Sequence, residues 1–259
     1  MSTKQEIVVV IPARYASTRL PAKPLVDLCG KPMVQHVYER ARAAKLVSRV
    51  IVATDHKAIA DVVVAFGGEA VITPAEIPSG SDRIAYVARS LSHTSIIVNV
   101  QGDEPLIAPQ MIDQAIQPLL SDLSIQVGTV VKPITNSDDL CNPNVVKAVL
   151  DTDGFALYFS RSIIPFMRDN SSVDQWHTLH KFYKHFGLYV YRKEFLTQYS
   201  LWKETSLERA EKLEQLRILE HGFKIKTVMT EFDSIPVDTA EDADRVRTLL
   251  TENQSVQIL

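Results

Sequence analysis

The sequence predicts a three-layer α/β fold built on a mostly parallel, Rossmann-like sheet, with a smaller mixed or antiparallel subdomain. In the first half, short β-branched runs alternate with segments of helical periodicity. Two of the runs, 6–11 and 95–100, are dominated by Ile and Val at successive positions, as in strands that are covered on both faces. The second half has strand patterns joined by short connections, which favours antiparallel neighbours.

The predicted elements of the first half follow one another as strand and helix. We predict strands at 6–11, 49–53, 70–73 and 95–100, and helices at 33–44, 56–66, 82–91 and 110–120. Pro12 is expected to end the first strand, and Ser81 is a candidate N-cap for the third helix. Sheets of this kind bind ligands at the carboxyl ends of their strands, which is where the loops after Ile11 and Val100 begin.

The second half is built from shorter connections. Strands are predicted at 126–132, 145–150, 156–160, 186–191 and 223–229. A charged amphipathic helix is predicted at 207–221, ended by Gly222, and a last helix at 239–250. The length of 259 residues fits one domain that carries a sizeable subdomain.

Composition restricts the class of protein. The hydrophobic fraction of 46% and the charged fraction of 23% are those of a globular chain. A net charge of −3 gives no general attraction to nucleic acid or to an anionic membrane, so neither is expected as a partner. No apolar stretch approaches the roughly 18 residues of a membrane span, and the N-terminus lacks a signal-peptide pattern. The two cysteines are far apart, so we expect free thiols and a cytoplasmic location.

The loop after the first strand carries three cations, Arg14, Arg19 and Lys23. Several cationic donors at one strand end suit a triphosphate, because they hold its oxygens and offset the charge of a diphosphate leaving group. The patterns GxxxxGK[ST] and GxGxxG are absent from the sequence, which disfavours an ATPase loop or a dinucleotide-binding loop. The alternative is a solvated basic surface loop.

Two acidic positions are candidates for a magnesium site. Asp103 lies just past the predicted strand 95–100, and Mg²⁺ prefers one or two carboxylates together with phosphate oxygens and water. Asp238 precedes the last predicted helix and could bind the same ion. Two simpler interpretations stay open: a turn at 103–105 and a helix N-cap at Asp238.

Further polar residues have both a functional and a structural interpretation. In the loop Ser79-Gly80, backbone and hydroxyl groups could read a base edge and Arg83 could approach phosphate, or the loop could simply cap a helix. Arg161 could pair with a substrate carboxylate. Four more residues could hydrogen-bond sugar hydroxyls, although base rates favour an ordinary structural role for each singly: His185, Tyr189, Glu214 and Gln215.

Nine motifs, in order, make the chain recognisable. They include VVVIPARYASTRLPAKPLVDLCGKPM, SGSDR, VNVQGDEPLI, GFALYFSRSIIP, KHFGLYVYR and VDTAEDADRVR. On these motifs, which span nearly the whole chain, the sequence resembles the 3-deoxy-D-manno-octulosonate (Kdo) cytidylyltransferase family. The resemblance implies a nucleotide-diphospho-sugar transferase fold, CTP and Kdo as substrates, Mg²⁺ as cofactor, a homodimer and a role in lipopolysaccharide biosynthesis.

The resemblance also assigns roles to individual residues. It implies that the CTP phosphates are held by Arg14, Ser17, Arg19 and Lys23, and that Ser79, Gly80 and Arg83 lie near the nucleotide. It implies Mg²⁺ on Asp103 and Asp238, which with Arg14 and Lys23 would be the catalytic residues. The matching Kdo-binding positions are Gln101, Arg161, His185, Tyr189, Glu214 and Gln215. Ala22 and Val190 stand where the family commonly has glycine.

For domain organisation, the resemblance implies a single nucleotidyltransferase domain over 1–259. Roughly 1–125 and 223–259 would form the nucleotide-binding part, and roughly 126–222 the sugar-binding and dimerisation subdomain. Rival hypotheses are a cytidylyltransferase for another acidic sugar such as sialic acid, a nucleotide-sensing binding protein, and a pyridine-nucleotide dehydrogenase. The last lacks its glycine fingerprint.

Overall fold

The computed structural model describes residues 6–17, 19–170 and 172–256. The chain divides into two compact units, Met1–Asp113 with Asp233–Leu259, and Gln114–Phe232, called here the first and the second unit. The boundaries between the units, at 113/114 and 232/233, lie about ten residues from the predicted ones at about 125 and 223. That the first unit binds the nucleotide and the second binds the sugar stays a prediction. Among the helices described, none combines the length and the hydropathy that crossing a bilayer would require.

The described strands and helices are as follows. The strands are β1 (Glu6–Ala13), β2 (Asp27–Leu28), β3 (Lys31–Pro32), β4 (Arg49–Thr54), β5 (Ala70–Ile72), β6 (Thr94–Asn99), β7 (Val127–Pro133), β8 (Lys147–Leu150), β9 (Ala156–Ser160), β10 (Tyr183–Arg192) and β11 (Ile225–Met229). The α-helices are α1 (Met33–Arg42), α2 (Lys57–Ala65), α3 (Gly80–Arg89), α4 (Pro109–Ser121), α5 (Ser137–Cys141), α6 (Trp176–Leu179), α7 (Lys193–Tyr199), α8 (Ser206–Glu211), α9 (Leu216–Glu220) and α10 (Ala240–Val256).

In the first unit, β1 lies between β4 and β6 and is parallel to both, and β5 continues the parallel sheet beyond β4. Every residue of β1 from Ile7 to Ile11 is buried, so both faces of the strand are covered, as the apolar run predicts. The prediction that Pro12 ends this strand is wrong, because β1 continues to Ala13 with Pro12 in register opposite Ala53. A proline removes only its own donor, and this one stands next to the end of the strand.

The first turn of α3 also differs from the prediction. Ser79, not Ser81, is the N-cap: its backbone is extended, and its hydroxyl accepts a hydrogen bond from the amide of Asp82 at 3.1 Å. Ser81 is a buried residue of the first turn. The sequence SGSD contains two serines that could each cap the helix, and only the backbone conformation shows which of them is the N-cap.

The second unit carries a mixed sheet. β10 is antiparallel to β7 and β8, β8 is antiparallel to β9, and β11 is parallel to β7. Together with the parallel sheet of the first unit, this arrangement confirms the predicted α/β class with a smaller mixed part.

The helix predicted at 207–221 is wrong as a single element. It is two helices, α8 and α9, separated by Lys212 in the left-handed conformation (φ +53°). A capping box of Thr205 and Glu208 begins α8, and Glu208 forms a buried ion pair with Arg217 at 2.5 Å. The apolar periodicity therefore continues across a break in the backbone, and Glu214 and Gln215 lie in the turn before α9 rather than on a helix.

Candidate active site

The loop after β1, which carries the three cations, and the loop after β6, which carries Asp103, lie side by side at the carboxyl ends of these strands. These strands are parallel neighbours, and Val10 lies opposite Asn99. A Cβ atom added to Gly102 would lie 2.7 Å from the carbonyl oxygen of Pro12, closer than real Cβ contacts allow. Glycine at 102 therefore permits the close approach of the two loops.

Four charged groups meet where these loops adjoin the segment before α10. The Nζ atom of Lys23 lies 2.6 Å from Oδ2 of Asp103 and 2.8 Å from Oδ1 of Asp238. Nη2 of Arg19 lies 3.0 Å from the same oxygen of Asp238. Burial disfavours the charge of Lys23, but the carboxylates of Asp103 and Asp238 outweigh it and raise its pKa above the usual value. Two carboxylates thus converge on one cation.

The alternative that Asp238 merely caps α10 is resolved by its neighbours. The carboxylate of Asp242 accepts the backbone amides of Asp238 and Thr239 at 3.0 and 2.9 Å, and the Thr239 hydroxyl accepts the amide of Asp242 at 3.2 Å. Burial opposes the charge of Asp242, but these donors lower its pKa overall. Thr239 and Asp242 therefore cap the helix, and the Asp238 carboxylate is left to face Lys23 and Arg19.

Backbone and buried side chains hold Asp103 and Asp238 in place. The amide of Val237 donates to the carbonyl of Asp103 at 2.9 Å. Glu104 is buried and accepts a hydrogen bond from the hydroxyl of Ser234. Burial, reinforced by the charge of Asp103, raises the pKa of Glu104 to about 8, so its carboxyl is largely neutral at pH 7. Glu104 is not among the predicted site residues, because its place beside a proposed metal ligand gives no signal that it is buried.

The cationic loop contains a strained residue directly before Lys23. Ala22 has φ +50° and ψ 37°, a region that favours glycine, and its carbonyl accepts the amide of Leu25 at 2.8 Å. The turn places Lys23 at the start of a short 3₁₀ helix, Lys23–Leu25. Ala22, which stands where the family commonly has glycine, is therefore at a position where a side chain costs conformational energy.

Of the remaining predicted nucleotide-binding residues, Arg14 and Ser17 lie in the loop after β1, and Ser79 and Gly80 lie at the start of α3. Nη1 of Arg14 donates to the carbonyl of Pro78 at 3.3 Å, and the Ser17 hydroxyl accepts the amide of Leu20 at 3.4 Å. A Cβ added to Gly80, next to Ser79, would lie 3.5 Å from the Pro12 side chain. Ser79 and Gly80 thus lie against the end of β1.

Arg83 is buried, unlike an arginine that is exposed to bind phosphate. Its side chain is fully buried, donates to the hydroxyl of Thr73 and lies 3.4 Å from a carboxylate oxygen of Asp55. Asp55, the residue after β4, also accepts the amide of Tyr15 at 3.0 Å, which connects the cationic loop to the end of β4. Burial lowers the pKa of Arg83, although the guanidinium stays charged. Asp55 is not among the predicted site residues, and the proximity of Arg83 to the nucleotide stays a prediction.

The second unit contains all of the predicted sugar-binding residues except Gln101. The backbone amide of Arg161 donates to the Glu211 carboxylate at 2.9 Å, and its Nε donates to the Glu211 carbonyl at 2.7 Å. The rings of His185 and Tyr189 are neighbours on β10, with centroids 5.3 Å apart. Tyr189 and Gln215 are buried, and the carbonyl of Glu214 accepts the Tyr199 hydroxyl at 3.0 Å. Gln101 lies in the first unit and donates to Asn99 at 3.0 Å.

The tautomer of the His185 ring follows from its contact with the hydroxyl of Thr129. The hydroxyl of Thr129 lies 2.7 Å from the carbonyl of Leu188 and 3.0 Å from Nε2 of His185. Since the hydroxyl has one proton, which it donates to the carbonyl, Nε2 of His185 is the donor and Nδ1 is left as an acceptor. Burial lowers the pKa of His185 to about 3, so the ring is neutral at pH 7.

A parallel α/β unit with loop cations beside two converging carboxylates is suited to nucleotidyl transfer, and comparison with known proteins gives the class directly. Residues 8–226 match the family model described as cytidylyltransferase, so the chain belongs to the cytidylyltransferase family.

Individual relatives narrow the class. The chain is 53% identical over 253 residues to the 3-deoxy-manno-octulosonate cytidylyltransferase of Geobacter metallireducens, covering 96% of this chain and 99% of that one. It is 55% identical over 245 residues to the enzyme of the same name from Geotalea uraniireducens, covering 93% and 97%. A solved structure of CMP:2-keto-3-deoxy-manno-octonic acid synthetase complexed with CTP matches with a TM-score of 0.89 and 40% identity, covering 96% of this chain and all of that chain. These matches confirm the resemblance found in the sequence.

Proposed function

We propose that this chain transfers the cytidylyl group of CTP to Kdo, giving CMP-Kdo and diphosphate. Among structural features, the convergence of Lys23, Asp103 and Asp238 at the carboxyl edge of the parallel sheet carries this proposal. The relatives at 53% and 55% identity, named for this reaction, support the same assignment. Their names do not favour the alternative of a sialic acid substrate.

The reaction joins two anions, so it depends on neutralising charge and on alignment. The anomeric hydroxyl oxygen of Kdo forms a bond to the α-phosphorus of CTP, the bond from that phosphorus to the oxygen that bridges it to the β-phosphorus breaks, diphosphate leaves with that oxygen, and the hydroxyl proton passes to water. Arg14, Ser17, Arg19 and Lys23 are proposed to hold the triphosphate and to offset the charge of the departing diphosphate. Ser79, Gly80 and Arg83 are proposed to lie near the nucleotide.

Asp103 and Asp238 are proposed to hold Mg²⁺. Their oxygens lie 2.6 and 2.8 Å from a single ammonium nitrogen, so the two carboxylates are already directed at one cationic centre. Mg²⁺ takes one or two carboxylates with phosphate oxygens and water, which this donor set fits. When bound, the ion would supply positive charge at the α-phosphate and increase the acidity of the attacking hydroxyl. Lys23 would then transfer its hydrogen bonds from the carboxylates to phosphate oxygens.

The sugar is proposed to bind through residues that discriminate an acidic sugar from a neutral one. Arg161 would pair with the Kdo carboxylate. The neutral ring of His185 offers Nδ1 as an acceptor for a sugar hydroxyl. The other hydroxyl contacts are proposed for Gln101, Tyr189, Glu214 and Gln215.

A homodimer and a cytoplasmic location complete the proposal. Several large apolar side chains of the second unit are exposed, among them Phe166 at 76% and Leu179 at 57%, and burial against a second copy would cover them. Cys29 and Cys141 are both free, as in a reducing compartment. Light scattering of the purified chain measures the mass, and about 58 kDa is expected from twice the chain mass of 29.0 kDa.

A diphosphate-release assay tests the activity. Each of the four common nucleoside triphosphates is supplied with Mg²⁺, with Kdo, with sialic acid and with no sugar. We expect release only from CTP with Kdo. Release with sialic acid at a similar rate would change the assigned substrate, and no release under any condition would overturn the function.

A further inference from the structure

Lys147 is a fully buried lysine that the reaction described above does not use. Its Nζ atom donates to the carbonyls of Asn142 at 2.9 Å and Val145 at 2.7 Å. In the described part of the chain, both of its hydrogen bonds thus go to main-chain carbonyls rather than to a carboxylate. Burial lowers the pKa of Lys147. Because it is costly to bury an ammonium group whose hydrogen bonds go to carbonyls, stability alone does not account for a lysine at this position.

The position of Lys147 in the sheet supplies a reason. On β8 it lies opposite Ser160 of β9, which precedes Arg161, and opposite Lys184 of β10, which precedes His185. The amide of His185 donates to the carbonyl of Val146 at 2.9 Å. β8, which carries Lys147, therefore lies between the two strands that lead to Arg161 and His185, both proposed to bind the sugar.

A short chain of contacts connects Lys147 to the Arg161 guanidinium. The two carbonyls that Lys147 holds belong to the turn 142–145, and the carbonyl of Pro143 in this turn accepts Nη1 of Arg161 at 3.1 Å. Nε of Arg161 is held by the carbonyl of Glu211. Backbone carbonyls thus fix two of the three guanidinium nitrogens, and in the described part of the chain Nη2 makes no hydrogen bond. It is the nitrogen that a ligand carboxylate can take.

We propose that Lys147 is a positioning residue for sugar recognition: its ammonium fixes the turn 142–145, whose Pro143 carbonyl orients the Arg161 guanidinium toward the carboxylate of the substrate. Lys147 lies within electrostatic range of both Arg161 and Glu211, and the Glu211 carboxylate already accepts the Ser160 hydroxyl at 2.6 Å and the Arg161 backbone amide at 2.9 Å. The surroundings therefore retain positive charge that suits an anionic ligand. This inference rests on the proposed contact between Arg161 and Kdo.

A double-mutant cycle of Lys147→Met and Arg161→Ala tests the connection. KM for Kdo and KM for CTP are measured for the wild type, both single variants and the double variant. We expect Arg161→Ala to raise KM for Kdo by roughly a hundredfold, because it removes a charged hydrogen bond to the sugar carboxylate. We expect Lys147→Met to raise it by about tenfold, because the guanidinium remains but is less well oriented. KM for CTP should change by less than about twofold in both, because the two residues act on the sugar only.

The double variant gives the decisive result. If Lys147 acts through Arg161, adding Lys147→Met to Arg161→Ala leaves KM for Kdo within about twofold of the single Arg161 variant. Additive effects, or equal effects of Lys147→Met on both substrates, would overturn the proposal. If Arg161→Ala itself fails to change KM for Kdo selectively, the proposed sugar site is wrong, which is a distinguishable failure.

Two further variants separate positioning from general stability. Lys147→Gln keeps N–H donors for the turn without a buried charge, so it is expected to fold even where the Met variant does not, and to raise KM for Kdo less than Lys147→Met. Lys226→Met is the matched control, because Lys226 also donates to a turn carbonyl of the second unit, that of Asp153. It should leave both KM values unchanged. A lower melting temperature of both Lys147 variants with unchanged KM values would mean that Lys147 is only structural and would overturn the proposal.

Discussion

Replacing Lys23 by Met should strengthen the binding of a divalent cation while it weakens the binding of CTP. The ammonium group bridges Asp103 and Asp238, so a cation that binds both carboxylates has to displace it. The substitution removes this competitor and leaves two carboxylates directed at one point. In the proposed enzyme the same substitution also removes a phosphate ligand, so the two ligands should respond in opposite directions.

The size of the effect follows from the two ion pairs. A hydrogen bond to a charged group contributes about 1.5–3 kcal/mol when it is buried. Here the side chains of Lys23, Asp103 and Asp238 are 17%, 27% and 36% exposed, so solvent screening reduces the contribution, most for the pair with Asp238. Taking about 1 kcal/mol for each pair gives about 2 kcal/mol, or roughly a 30-fold gain in cation affinity.

Mn²⁺ is a suitable probe, because electron paramagnetic resonance measures the unbound ion directly. Purified wild type and Lys23→Met are titrated with Mn²⁺ in the absence of nucleotide, and CTP binding is measured separately by calorimetry. Lys31→Met is the matched control, since Lys31 forms an exposed ion pair with Glu39 at 2.7 Å. Unchanged or weaker Mn²⁺ binding in Lys23→Met would refute the reasoning, because it would mean that Lys23 and the metal do not share one position.

Three more predictions concern separate residues. Asp103→Asn should lower kcat by at least about a hundredfold, because it removes a proposed metal ligand, while the loss of its ion pair with Lys23 should cost no more than about 1 kcal/mol in urea denaturation; the exposed control Asp244→Asn should keep full activity. Ala22→Gly should raise the free energy of unfolding by about 0.5–1 kcal/mol in urea denaturation, because glycine tolerates φ +50°; a loss of stability would contradict the assigned strain. His185 is neutral when folded because burial lowers its pKa from 6.5 to about 3, so its contribution to stability is present above pH 6.5 and is lost as the pH falls toward 3. The urea midpoint of His185→Gln should therefore fall less between pH 7 and 5 than that of the wild type, and equal losses would show that His185 is not the titrating group.

The parallel sheet could be predicted from the sequence because its central strands are buried on both faces. This burial requires short runs of β-branched residues such as 7–11, whose length and composition favour a strand over a helix. The helix at 207–221 could not be predicted correctly, because α8 and α9 both have apolar residues at helical spacing. The left-handed residue between them is a lysine rather than the glycine that usually marks such a position.

In the candidate site, the residue types could be predicted, but their partners could not. Cations after β1 and a carboxylate after β6 follow from strand order alone. That Lys23 contacts Asp238, 215 positions away, depends on the tertiary fold. Likewise, Asp238 and Asp242 are both acidic residues near a helix start, and only the geometry shows that Asp242 makes the cap.

The way α10 packs explains how such distant residues keep one geometry. Leu28 and Met33 follow the cationic loop directly, and they belong to the same buried cluster as Val246 and Leu250 of α10. Val237, in this cluster too, donates its amide to the carbonyl of Asp103, so the segment that carries Asp238 is fixed to both loops at once. Because a packed core transmits small displacements, the distances from Lys23 to the two carboxylates depend on apolar residues that need touch no substrate. The proposed chemistry therefore requires the last helix as much as it requires the charged groups.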